Sequence, residues 1–359
     1  MAAFAVITAC GSASAAGNSG GVDAATATSA SAFGGMSGLI AAAKKEGQLN
    51  VIALPPDWAN YGSIISGFTA KYGIKVNSAN PNGSSQDEVN AVRAQSGTSR
   101  APDVLDIGMA VALANTSLFA PYEVSEWNDV PASQKAANGL WYQDYGGYMS
   151  IGYDSSKFTI TSVQDLLKPQ FKGAVALNGD PTKANAALNG VMMASLANGG
   201  SLDNIAAGVA FFHKLNQLGN FVPIQATTAT VKNGTTPVVF DWDYLSAAHG
   251  KDVPSWKVFV PPDAVLGGYY AQAISKTAPD PAAARLWEEY LYSTVGQNLW
   301  LQGGARPVEM AAMTTAGTLN QTYAAALPPV GGTPVFMSPT QATAAATYLN
   351  SNWAQAIGS

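Results

Sequence analysis

The chain repeats one local pattern. A short apolar run passes into a polar or aromatic loop, and the loop passes into a segment with apolar residues at helical spacing. Residues 49–54 lead into the loop 55–61 and then to Ile64, Ile65 and Phe68. "PDVLDIG" ends at Gly108-Met109, "KGAVALNGDP" at Asn178-Gly179-Asp180-Pro181, and "TPVVF" runs into Asp241-Trp242-Asp243. Strand, loop and helix in succession favour a parallel sheet flanked by helices, so the fold class is α/β. In open sheets of this kind ligands bind beyond the carboxyl ends of the strands, which directs the search for a site to these loops.

Length divides the chain further. At 359 residues it exceeds the roughly 250–300 residues that one core organises, and two lobes are predicted. Charged residues make up 11% of the sequence and leave a net charge of -5 without a basic run. Nucleic acid is excluded as a partner, because its binding needs clustered Lys and Arg. The single cysteine, Cys10, rules out a disulfide framework and a thiolate metal site. After the first few residues no apolar run is long enough to cross a bilayer.

The N-terminus carries its own signal. In "MAAFAVITACGSASAAG" an apolar stretch and small residues precede Cys10, and small residues follow it. This is similar to the end of a bacterial lipoprotein signal, in which cleavage leaves a lipidated cysteine first, so residues 1–10 read as a signal remnant with a lipid anchor at Cys10. No Lys or Arg precedes Lys44, and the charged start of such a signal is expected upstream. Residues 11–35 are largely Ala, Gly, Ser and Thr with one charge, Asp23. Such a composition buries too little apolar area to offset ordering, and a flexible linker is expected.

Two loops invite a cation. Asp57, Trp58 and Tyr61 follow the first strand, and Asp241, Trp242 and Asp243 follow a later one, with Tyr244 behind. An indole face attracts a cation while a carboxylate supplies a charge-assisted hydrogen bond. Asp180, Tyr269, Tyr270 and Arg306 complete the candidate set. Asp180 ahead of Pro181, and Asp243 ahead of a helix, read equally well as helix caps. Either tryptophan could instead be core, and of Tyr269 and Tyr270 at most one can face a cleft, since side chains alternate along a strand. Trp141, Trp256, Trp287 and Trp300 read as packing residues. Asp241 and Asp243 are too close in sequence to flank a sugar from opposite sides, and no Ser-His-Asp order, histidine metal cluster or phosphate loop is present. A carboxylate-dependent hydrolase is a remote alternative; neither catalysis nor a cofactor is expected.

"LNVIALPPDWANYGSIISGFTAKYGIKV", "GGYMSIGYDSSKF" with "TSVQDLLKPQFKGAVAL", and "PDPAAARLWEEYLYSTVGQNLWLQGGARPV" resemble, in this order over 39–308, extracellular solute-binding proteins of ABC importers. The resemblance is to the type II periplasmic-binding-protein fold, family 1, of spermidine/putrescine-binding type. It implies two lobes, each a mixed, mostly parallel sheet flanked by helices. Lobe one would comprise 36–148 and 275–359 and lobe two 149–274, with crossings near 148–153 and 267–274. It further implies an extracytoplasmic monomer, anchored at Cys10, that captures a small polar solute and delivers it to an ABC permease. In polyamine-binding members a Trp and a Tyr separated by two residues match Trp58 and Tyr61, another Trp matches Trp242, and an acid matches Asp180. At the second crossing "LGGYYAQAI" departs from their Trp and Asp. A polyamine-like cation is the first expectation. Ferric iron, through adjacent tyrosines, and a zwitterionic or anionic solute such as an aminophosphonate, through Arg306, are the alternatives.

Overall fold

The computed structural model describes residues 22–328 and 330–358. β1 (Gln48–Ile52) and β2 (Lys75–Ala79) pair in parallel around the helix Tyr61–Tyr72. β3 (Val104–Gly108) and β4 (Phe119–Ala120) follow, then the 13-residue β5 (Tyr142–Asp154). β6 (Val175–Leu177) lies between β7 (Phe221–Gln225) and β8 (Val238–Trp242), parallel to both. β9 (Trp256–Phe259), β10 (Leu266–Ser275), β11 (Arg306–Pro307) and β12 (Val335–Phe336) complete the strands. The larger sheet runs β12-β10-β5-β8-β6-β7, so parallel and antiparallel pairs mix.

β5 joins the two lobes by changing partners in mid-strand. From Tyr142 to Tyr148 it pairs with β10, and from Met149 it pairs with β8 and then β9. The first lobe gathers β1 to β4, β10 and β11 on one side of that switch; the second gathers β6 to β9 on the other. At the switch the backbone lies against Asp243, which a Cβ on Gly147 would meet at 2.4 Å, so only glycine fits there. A bulge precedes it: Asp144 and Tyr145 of β5 stand opposite the single Tyr270 of β10. Bulges bend a strand and re-aim its side chains, and this one underlies the floor of the cleft.

The second lobe packs its sheet on the helix Asn185–Ala197, buried continuously from Ala186 to Ser195. A helix apolar all round needs cover on every side. The helix Ala206–Gln217 and the C-terminal helix Pro339–Ile357 supply it, the latter placing Trp353 against Phe212 and Phe221 at ring distances of 5.6 and 6.0 Å. The C-terminal helix, expected in lobe one, packs both on these second-lobe helices and on the first-lobe helix Met109–Ala114. Its apolar positions Leu349 and Trp353 match a surface that the chain order does not reveal.

The expected linker 11–35 also differs where it is described. Residues 30–33 form a 3₁₀ turn, and Ala27, Ala30 and Phe33 are buried. Arg285, itself buried, donates to Ala27 O at 2.7 Å and Ala25 O at 2.9 Å. A buried guanidinium needs acceptors, and this backbone supplies them. The segment's poor composition was offset by a partner surface elsewhere in the chain. Cys10 lies outside the described residues. Among the described residues no helix is long and apolar enough to cross a membrane.

Candidate functional site

A cavity of about 680 Å³ opens between the lobes, and its walls are the loops that follow β1, β2, β6, β7 and β8, with Asp106 from β3 itself. The first lobe contributes Asp57, Trp58 and Asp106; the second contributes Asn178, Asp180, Thr228 and Asp241; Tyr270 of β10 lies between them. The lobes touch across it. Thr228 donates its hydroxyl to Asp57 at 2.5 Å, and Gly108 packs so close to Asn185 that a Cβ would meet that side chain at 2.2 Å.

The loop after β1 is held in uncommon conformations. Ala53, Ala59 and Asn60 have φ of 57°, 44° and 68°, a region that non-glycine residues enter only when the surroundings enforce it. Asn60 is tied to Leu299 O at 2.9 Å. Trp58, half-buried, is fixed at its polar end: the indole Nε1–H donates to the Tyr145 hydroxyl at 2.7 Å. Its ring stands edge-on to Tyr270 at 5.7 Å, and Tyr270 stacks on Tyr145, also at 5.7 Å.

Beneath these rings is a carboxylate that the sequence reading passed over. Asp106, at the end of β3, accepts from Tyr61 Oη at 2.7 Å and Tyr145 Oη at 2.8 Å on one oxygen, while its Oδ1 has no partner among the described residues. Gln272 extends the network from Tyr61 to the buried Asp144. Burial raises the Asp106 pKa, against the lowering effect of the two tyrosine hydrogen bonds. Asp241, at the end of β8 and 3% exposed, accepts from Asn178 Nδ2 at 2.9 Å and its neighbour's backbone N–H at 2.8 Å. Burial pushes it up to about 7, while those two donors act the other way. Among the described residues neither acid has a Lys, Arg or His ion-pair partner.

The charges around the cavity are lopsided. Seven carboxylates line it, against Lys183, Lys251 and the imidazole of His249. At the rim Asp180 binds the Thr182 N–H and hydroxyl at 2.9 and 2.7 Å and pairs with Lys183 at 3.4 Å. It shapes its own loop and does not cap the helix, which starts at Asn185 behind Ala184. Burial lowers the His249 pKa, which favours neutral imidazole.

Five expected contacts lie elsewhere. Trp242 is fully buried, with its Nε1–H on the Tyr270 hydroxyl at 3.3 Å, because the pleat of β8 turns Asp241 to the cleft and its neighbour away. Asp243 is buried at the switch, where it pairs with Arg306 at 2.7 Å and accepts the Tyr148 N–H at 3.0 Å. That pairing removes both Asp243 and Arg306 from the cavity wall. Tyr61 is buried under the floor, between Tyr145 and Trp300, and reaches the site only through Asp106. Tyr269 points to the opposite face of β10 from Tyr270, so the adjacent tyrosines do not converge. Asp106 had one legible mark: a lone charge between Leu105 and Ile107 in an apolar strand.

Two lobes joined by shared strands around a cleft at their carboxyl ends define a binding protein that holds a small solute between its halves. Residues 102–326, more than half of the chain, match the bacterial extracellular solute-binding proteins, and the chain belongs to that family. Its members are substrate-binding transport proteins outside the cytoplasm that deliver solutes to ABC permeases. Solved structures agree in fold. The periplasmic binding protein AfuA of Actinobacillus pleuropneumoniae, with fructose-6-phosphate bound, superposes with a TM-score of 0.68 at 15% identity, covering 87% of this chain and 99% of its own. Iron-bound HitA of Pseudomonas aeruginosa gives 0.64 at 19%, with coverage of 87% and 99%. A Listeria monocytogenes protein assigned to a spermidine/putrescine ABC transporter gives 0.65 at 12%, with 86% and 98%.

Proposed function

We propose that this solute-binding protein captures a small organic cation of polyamine type and presents it to its importer. The observation that carries the reading is the pair Asp106 and Asp241, one from each lobe, buried at the cavity wall without a positive partner among the described residues. Ionising a buried carboxyl is costly, and an entering ammonium offsets that cost at both acids. Trp58 and Tyr270 offer ring faces and edges for the methylenes and the charge between them. The acidic walls repel sugar phosphates and phosphonates, and the separation of Tyr269 from Tyr270 weighs against iron.

Calorimetric titration of the purified protein with putrescine, spermidine, glycine betaine, fructose-6-phosphate, 2-aminoethylphosphonate and ferric citrate tests this. Saturable binding of a diamine, lost in Asp241→Asn and Asp106→Asn, is expected. Binding of a phosphate or ferric ligand with no response to diamines overturns it. We infer also that Cys10 is lipidated, from the small residues on both sides of it. Cys10→Ser should then release the protein from membranes into solution. We divide the chain within β5 and ahead of β10, because β10 pairs with the first-lobe strands β3 and β4; residues 149–265, rather than the expected 149–274, then form the second lobe, and the C-terminal helix packs on both lobes.

A further inference from the structure

On the other face of β10 from Tyr270 lies a second recess of about 510 Å³. Its chemistry is unlike that of the cleft. Trp141, Tyr269 and Phe336 give it aromatic walls, with the thioethers of Met109 and Met337 between them. Among the described residues that line it, none is charged. Phe336 remains 48% exposed, packs so close to Gly267 that a Cβ there would meet its ring at 2.2 Å, and stacks on Tyr269 at 6.3 Å. An exposed aromatic ring in a concave wall is a surface that gains by being covered. Polar groups are present as carboxamides. Asn189 commits its amide N–H groups to Asn185 at 2.9 and 3.1 Å, whereas the side chains of Gln134 and Gln143 have no hydrogen-bond partner among the described residues.

We propose that this recess is a binding site for an uncharged aromatic molecule bearing an amide or similar polar group, separate from the solute held in the cleft. The volume suits a drug-sized ligand, and aromatic walls with a few polar groups are the usual make-up of such sites. A charged ligand would lose hydration with no counter-charge to replace it. Free carboxamides offer a donor and an acceptor each and so match an amide.

The recess also spans the moving parts. Met109, Trp141 and Gln143 come from the first lobe, Asn185 and Asn189 from the second, and Asn185 lines the cleft as well. An occupant touching both lobes favours the arrangement in which they meet, and by reciprocity a solute in the cleft and an occupant here tighten each other. This coupling rests on the solute reading above; the recess itself does not.

The test uses the full protein with the uncharged fluorophore Nile red, and with benzamide, benzoate and benzylammonium as competitors. Saturable blue-shifted emission is expected, displaced by benzamide and not by the two ions. Ser133 lines the recess and is exposed, so Ser133→Trp should fill the mouth at unchanged melting temperature and weaken the probe by about tenfold or more. Phe336→Ala should weaken it from the opposite wall. Asp241→Asn should leave it unchanged. No saturable signal, an unaltered signal in Ser133→Trp, or loss in Asp241→Asn overturns the proposal. If Nile red binds as expected while putrescine neither binds nor tightens it, the recess stands and the cation reading fails.

Discussion

Thr228, on the second lobe, donates its hydroxyl to the Asp57 carboxylate on the first at 2.5 Å, bridging the mouth of the cleft. A neutral-to-charged hydrogen bond at an exposed rim is worth about 0.5–1.5 kcal/mol net. Thr228→Val removes the donor at nearly constant volume and should speed diamine release by roughly two- to tenfold while leaving the association rate alone. Stopped-flow dissociation measures this; an unchanged residence time would show that the bridge has no part in closure.

The two site carboxyls predict a pH dependence. Burial keeps Asp241 protonated up to about 7, and a bound ammonium requires the carboxylate, so binding in mildly acidic buffer expels a proton. Diamine affinity should rise from pH 5 towards 7, by up to about tenfold per unit for each proton displaced, and flatten above. The empty protein behaves oppositely. A carboxyl with a raised folded pKa contributes stability that is fully present below its unfolded value of about 4 and is lost as the pH rises through about 7. Urea unfolding from pH 4 to 8 should show a shallower decline in Asp241→Asn than in the parent.

Trp58 and Trp242 should part company on truncation. Trp242→Ala empties a fully buried site and is expected to cost about 3–5 kcal/mol of stability. Trp58 is half-buried at the cavity; Trp58→Ala should weaken the diamine by about 1–2 kcal/mol through lost cation–π contact, with a much smaller fall in melting temperature. Thermal unfolding beside calorimetry separates the two, and a Trp242→Ala protein of unchanged stability would contradict its place in the core.

Arg306 and Asp243 hold the point where β5 changes lobes. With side chains 13% and 0% exposed and 2.7 Å between them, the pair behaves as a buried ion pair. Arg306→Met leaves a carboxylate buried alone and should cost about 3–5 kcal/mol. Arg306→Met with Asp243→Asn should recover much of that loss, because no uncompensated charge remains. Additive losses in the double-mutant cycle would show that the two side chains are not coupled.

The strand, loop and helix order was open to reading because periodicity is a property of neighbours in the chain, and so the α/β class and the loops that build the cleft followed from it, while the two lobes followed from length. Trp58, Asp57 and Asp241 reach the cavity for that reason. Trp242 and Arg306 did not, since each needed the pairing of one strand with another to be known. Asp106 was overlooked as an ordinary strand position, although a charge between two apolar strand residues has a desolvation cost that calls for a partner.

The order of residues by itself determined which segments are strands and helices and which loops stand at the carboxyl ends of strands, because those depend on spacing within a few residues. Tertiary structure alone decided that Asp241 faces the cleft while Trp242 faces the core, and that Tyr270 and Tyr269 serve different cavities. The pairing of Met149 with Trp242 and of Ser150 with Asp241 sets that choice. Adjacent side chains on a strand point to opposite faces, and a register fixed by a distant strand determines which face is which.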